Sequence, residues 1–181
     1  MHFFKPLFHL VNYLSNESKS LTIFDTGLYS SNLGTDGYDI YKEQSVAIRF
    51  FSNIESSEIQ TIDILTMTNV FSEPYPSLNI SISKGGENVP QFPKTLINTL
   101  KVNIDGWIPT VIIIKPESAI PIKRGEFYWI ILESDNDLEK DALWNISDTP
   151  AFMSFSRCQN GKCEWQEGDF SSSACIKITS V

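Results

Sequence analysis

The strongest constraint on this chain is a two-residue alternation of apolar and polar side chains, interrupted at short intervals by turn residues. Val46, Ile48 and Phe50 point one way, and Ala47, Arg49 and Phe51 the other. Leu78, Ile80 and Ile82 alternate with Asn79, Ser81 and Ser83, and Ile176 and Ile178 alternate with Lys177 and Thr179. A strand turns successive side chains to opposite faces, so this pattern gives one buried and one wetter face. Strands are predicted at Leu21–Phe24, Gln44–Phe51, Glu58–Met67, Leu78–Ser83, Thr99–Ile104, Ile108–Lys115, Phe127–Glu133, Ala142–Ile146, Ala151–Ser156, Cys163–Gln166 and Ala174–Thr179. Val111 to Ile114 is apolar on both faces and is expected at the centre of a sheet.

Between these segments stand Asn32 to Gly37, Glu73-Pro74-Tyr75-Pro76, Gly85-Gly86, Asp105-Gly106, Lys123-Arg124-Gly125 and Asn160-Gly161. Such dipeptides and clusters mark turns because of their backbone preferences. Some 10 to 12 short strands without a long helical period imply an all-β, antiparallel, jelly-roll-like sandwich. Composition agrees: Ile, Val and Thr number 40 against 5 Ala, which favours strands over helices. Asn, Lys and Phe are also frequent and Arg is rare, a bias that AT-rich coding produces too, so the Ile excess alone is a weaker fold signal than the turn spacing. No repeat or linker divides the chain, so one domain over 21–181 is expected, preceded by an N-terminal arm or short helix at 1–20. That segment carries Leu7, Leu10, Val11 and Leu14 on one side. Pro6, His9 and Asn12 interrupt it, and no small-residue cleavage site follows, so it reads poorly as an export signal.

Charge narrows the partners. The net charge is −8, and the 14 Lys and Arg are scattered. Nucleic acid and anionic membrane surfaces are therefore disfavoured, and no apolar run is long enough for membrane insertion.

Three cysteines occur. Cys158 and Cys163 flank a turn centred on Asn160-Gly161, which sets them opposite each other across a hairpin and predicts a disulfide in an oxidising compartment. Zinc would need more ligands, and the two histidines, His2 and His9, are distant in sequence. Cys175, in an alternating segment, is expected to be a buried thiol.

Several segments resemble a known family. Thr22-Ile23-Phe24-Asp25-Thr26-Gly27 has the shape of a strand and turn. Gln44-Ser45-Val46-Ala47-Ile48-Arg49-Phe50 stands where a bacterial module typically reads Ala-Gln-Ser-Phe. Ile59-Gln60-Thr61-Ile62-Asp63-Ile64-Leu65 follows, then Leu78-Asn79-Ile80-Ser81-Ile82-Ser83 with Lys84-Gly85-Gly86 and Pro90. Gly125-Glu126-Phe127-Tyr128-Trp129-Ile130-Ile131-Leu132 is the strongest element, and leads on to Trp144 and Trp165. Over residues 21–181 this order resembles the choice-of-anchor family of bacterial surface β-sandwich domains. The resemblance implies a non-catalytic extracellular or cell-surface module, and it supplies no catalytic residues. Such domains often carry a signal peptide and a C-terminal anchor; neither is expected from the residues at hand, so the expected surface location is joined by intracellular and virion alternatives.

Candidate sites follow from residue type. Asp135, Asp137, Glu139 and Asp141 alternate, offering oxygen ligands of the kind a Ca²⁺ ion takes. The helix-flanked calcium loop fails at Lys140, where Gly is needed, and at Ile146, where Glu is needed. The bland alternative is a solvated acidic loop. Apart from that Ca²⁺ site no cofactor is called for. Trp107 and Trp144, each beside a turn, are candidates for stacking on a sugar at a rim, whereas Trp129 belongs with the core. Asp25-Thr26-Gly27 matches the aspartic-protease motif, but a second copy is missing and a turn is the better reading. A Ser-His-Asp triad would need a histidine outside the N-terminal segment, and phosphate-binding glycine motifs are absent. Asn16, Asn79 and Asn145 fit the glycosylation sequon at a frequency chance explains. The expected function is a non-catalytic binding or adhesion module whose partner is a carbohydrate or a protein. Alternatives are a homo-oligomeric subunit of a capsid, fibre or other assembly, and a glycoside hydrolase on a sandwich scaffold.

Overall fold

The computed structural model describes residues 20–28, 36–71, 73–102, 108–138, 141–170 and 173–181. Fourteen strands occur among them: β1 (Leu21–Asp25), β2 (Gly37–Ile40), β3 (Gln44–Phe51), β4 (Ser56–Thr68), β5 (Ser77–Lys84), β6 (Lys94–Lys101), β7 (Thr110–Ile114), β8 (Pro121–Lys123), β9 (Phe127–Glu133), β10 (Ala142–Ser147), β11 (Phe152–Gln159), β12 (Lys162–Trp165), β13 (Ser173–Ala174) and β14 (Ile176–Ser180). They form two packed antiparallel sheets, the sandwich that the alternation predicts. One sheet runs β12-β11-β3-β9-β5-β6. The other runs β1-β14-β4-β10-β13, with β2 on β10 and β7 and β8 on β4.

The long β4 is the spine of the eight-stranded sheet. Its residues Ile62 and Ile64 meet Ile176 and Ile178 of β14 on one edge and Ile114 and Ile112 of β7 on the other. The facing sheet contributes Val46, Ile48 and Phe50, Leu78, Ile80 and Ile82, and Ile130 and Leu132 to the same core. Removing each such side chain from water is worth about 1.5–3 kcal/mol, which is what holds the two faces together. Phe50 stacks between Phe24 and Tyr128, with ring centroids 5.8 and 5.5 Å apart. The Tyr128 hydroxyl accepts a hydrogen bond from the Lys123 backbone N–H at 2.9 Å, so its polar end is satisfied.

The last strand changes partners at Cys175. Before it, Ala174 pairs with Ile146 of β10; after it, Ile176 pairs with Ile64 of β4. At the crossing the Cys175 N–H donates to Asn145 O, and its carbonyl accepts from Leu65 N–H and from the Trp144 indole N–H. Thr26 Oγ1 donates to Ala174 O and accepts from Ile176 N–H, which ties the Asp25-Thr26-Gly27 turn to this strand. The motif is thus a turn built into the sheet.

Three expectations need correction. β2 and β8 are additional strands, too short to show alternation. The strand expected at 99–104 begins earlier, as β6, an edge strand whose exposed polar residues hide its period. β7 is not central: among the described residues it pairs with β4 alone, and Ile113 is exposed. The N-terminal arm lies outside the described residues apart from Ser20.

Candidate ligand-binding groove

The outer face of the six-stranded sheet carries the most chemistry. Because Val46, Ile48 and Phe50 point into the core, Ser45, Ala47, Arg49 and Phe51 point outward. Pairing registers extend these positions into rows that cross the strands. One row joins Phe152, Arg49, Trp129 and Ser83. The next joins Ser154, Ala47, Ile131 and Ser81. A third begins at Trp165, opposite Ser156, which is opposite Ser45. Ser45 stands one step beyond the Val46–Leu132 pair and so lies beside Glu133, which is opposite Asn79, itself opposite Thr99.

The first two rows are roofed by two loops. The segment 85–92 is held down where Trp129 Nε1–H donates to Gly86 O at 3.0 Å and the Ser83 hydroxyl donates to Gln91 O at 2.5 Å. The segment 166–170 is held by Ser154 Oγ donating to Gln166 O at 2.7 Å and by paired backbone bonds between Met153 and Asp169. The loops also bind each other, Gly168 N–H to Asn88 O and Asn88 Nδ2 to Glu167 Oε1. Gly86 has φ +81°, and a Cβ there or at Gly168 would run into the Val89 or Met153 carbonyl. Both sites therefore need glycine. Beneath the roof Ala47, Trp129 and Ile131 are fully buried. Arg49 lies over the rings of Phe152 and Phe127, 3.9 and 4.6 Å from their centroids, and donates to Glu87 O in the roof.

The third row is covered by neither loop, although Ser156 within it is only 4% exposed. It floors a groove of about 360 Å³ lined by Ser45, Asn79, Glu133, Ser156 and Trp165, with Phe92, Lys94, Lys42, Ser134, Asp135 and the Cys158–Cys163 pair around it. Phe92 is 65% exposed. Lys94 forms an ion pair with Glu133, and the Thr99 hydroxyl donates to Asn79 Oδ1 at 2.8 Å. At one end Lys42 pairs with Asp137 at 2.5 Å and Glu43 at 3.7 Å. The hydrogen bond and charge of Asp137 hold the Lys42 ammonium above its ordinary pKa. Hydroxyls, a carboxylate and an amide in line, with an indole at one end, are the groups that bind a polyhydroxylated ligand by hydrogen bonds and ring stacking.

The residues singled out from sequence fall in different places. Trp144 is fully buried in the core between the sheets, its Nε1–H bonded to Cys175 O at 2.9 Å, so the expectation of a rim position is corrected. Trp144 sits on the inward face of β10. Trp107 lies outside the described residues, as does Glu139. Asp135 and Asp137 are exposed, Asp137 against Lys42, whereas Asp141 is only 3% exposed and meets Asp39. The three described acids of the proposed Ca²⁺ set are thus dispersed. Among the described residues no three His, Cys, Asp or Glu groups converge for a metal ion. Cys158 and Cys163 form the disulfide, directly opposite across the β11–β12 hairpin. Asn160 and Gly161, with φ of 52° and 77°, make its two-residue turn. Cys175 is a buried free thiol.

Sequence reasoning missed Ser45, Asn79, Glu133, Ser156, Phe92 and Trp165 as one site. The signal that finds them is the polar half of each alternating strand, read together with the pairing register.

No family model and no curated protein sequence matches this chain. Its fold is similar to a solved structure titled as the cysteine protease and lectin-like domains of Cwp84, a surface layer associated protein of Clostridium difficile. The TM-score is 0.53 and the identity 18%, over 77% of this chain. The chain matches 32% of the length of that structure, so the likeness is one of fold over about a third of the neighbour.

Proposed function

We propose that this chain is a non-catalytic surface module that binds carbohydrate along the open groove of its six-stranded sheet. The observation that carries this reading is the row Trp165–Ser156–Ser45–Glu133–Asn79. Four strand spacings separate its ends, about 19 Å, which suits an extended oligosaccharide lying across the strands better than a single sugar. Trp165 offers an indole face at one end of that track, and Phe92 supplies a second exposed ring. The central carboxylate, Glu133, is engaged by Lys94 and is read as a hydrogen-bond acceptor, without a catalytic role. The Cys158–Cys163 disulfide is in keeping with an oxidising, extracellular setting. The similarity to a structure that includes a lectin-like domain of a bacterial surface protein agrees with the same reading.

The test is a glycan array followed by titration calorimetry of the full chain with any oligosaccharide that binds. Trp165→Ala is expected to weaken binding at least about tenfold, while Phe170→Ala, exposed on the roof and away from the groove, leaves it unchanged. A chain that captures no glycan, or one whose binding survives Trp165→Ala, overturns the proposal.

A further inference from the structure

We infer that the groove selects uncharged oligosaccharides and rejects anionic ones, such as uronate or sulfated chains. The inference rests on the carbohydrate reading above and adds the ligand's charge class. Each ammonium group at the groove is already engaged. Lys94 is paired with Glu133, both side chains being mostly withdrawn from solvent. Lys42 is held by Asp137 and Glu43. Asp135, exposed at the rim, has no cationic partner among the described residues. In the lining of the groove the two ammonium groups of Lys42 and Lys94 stand against the carboxylates of Glu133 and Asp135, with Glu43 and Asp137 beside Lys42, within a chain of net charge −8.

An anionic sugar would have to pull Lys94 from Glu133, leaving a partly buried carboxylate unpaired beside the incoming charge. Such an arrangement disfavours an anionic ligand by repulsion, while a neutral one leaves the Lys94–Glu133 pair intact. A neutral chain meets only hydroxyl, amide and carboxylate groups suited to its own hydroxyls. Its binding should therefore depend weakly on ionic strength.

The experiment titrates the full chain with neutral glucan, mannan and chitin hexamers and with galacturonate and heparin-derived hexamers, at 50 and 500 mM salt. The expected result is binding to a neutral hexamer at least about tenfold tighter than to any anionic one, changing less than about twofold with salt. In Glu133→Gln, Lys94 is released as a free cation, and affinity for an anionic hexamer is expected to rise about tenfold in a salt-sensitive way. Asp135→Lys, on an exposed loop, makes the same direction of change and serves if Glu133→Gln does not melt cooperatively. Tight, salt-sensitive binding of an anionic hexamer by the unaltered chain overturns this inference and leaves the carbohydrate reading standing. No gain of anion binding in either variant also overturns it. Failure of every hexamer, neutral and anionic, overturns the carbohydrate reading and this inference with it.

Discussion

The carboxyl of Asp141, at the entrance to β10, is buried against the carboxyl of Asp39 on β2 and hydrogen-bonded to it. Burial, followed by the hydrogen bond and negative charge of Asp39, raises the Asp141 pKa to about 7. In the unfolded chain an aspartate titrates near 3.9. Between roughly pH 4 and 7 the folded protein therefore holds a proton that the unfolded chain has released, so raising the pH through that window lowers stability. The stabilising protonated form is fully present below about pH 4 and lost above about pH 7. One proton gives a slope of at most about 1.4 kcal/mol per pH unit. Asp141→Asn keeps the shape without the charge. Urea melts at pH 4.5 and 8 should show this variant gaining on the parent protein as the pH rises. Equal differences at the two pH values would refute the shared proton.

Cys175 gives a second, chemical prediction. Burial first, and the negative charge of Asp148 second, push its thiol up to about 11, and it packs with Leu28 and Leu65. Only a thiolate attacks a disulfide reagent. Ellman titration at pH 8 should count no reactive thiol in the folded protein, one after guanidinium unfolding, and three after reduction. A reactive thiol in the folded state would place Cys175 at the surface. Replacing Cys158 and Cys163 together by Ala opens a small loop, and chain-entropy arguments put the loss at about 2 kcal/mol.

Trp144 and Trp165 separate stability from binding. Trp144 fills the core and caps the Cys175 carbonyl, so Trp144→Ala should cost about 3–5 kcal/mol in urea unfolding. Trp165 sits on edge strand β12 and is partly exposed. Its replacement by Ala should cost less than about 1.5 kcal/mol of stability while weakening the proposed glycan binding at least about tenfold. The reverse ranking of the two stabilities would contradict their positions.

That pair also shows what the amino-acid order reveals and what it hides. Strands β3, β5 and β14 are legible because one face of each is apolar at every second residue, and β9 because it is a strand-length apolar run. Trp144 follows an acidic loop, which suggested a rim, but the face it occupies is decided by its pairing with Tyr38 and Thr66, far away in sequence. The groove is hidden for the same reason. Ser45, Asn79, Glu133, Ser156 and Trp165 are ordinary polar or aromatic positions on five strands, and only the long-range register brings them into line. The disulfide is different: its two cysteines are joined by a local turn, Asn160-Gly161, so local chemistry was enough to foresee it.

Arg49 is the post that holds the roof beside the groove. Its guanidinium is stacked on Phe127 and Phe152 and bonded to the carbonyl of Glu87, so one side chain links the sheet face to the loop 85–92. Planar stacking and directed donors are both properties of a guanidinium that an ammonium lacks. Arg49→Lys should therefore behave nearly as badly as Arg49→Met, each losing about 1–3 kcal/mol, from the ring contacts and the unpaired carbonyl together. Hydrogen exchange locates the effect. The Gly85 amide, bonded to Phe127 O, and the Gly168 amide, bonded to Asn88 O across the two loops, should exchange faster in both variants. Amides of β4 and β14, on the other sheet, should change only by the global loss of stability. If Arg49→Lys keeps the loop amides as protected as in the parent protein, the stacked guanidinium is not what holds the roof, and the Trp129 and Ser83 hydrogen bonds suffice.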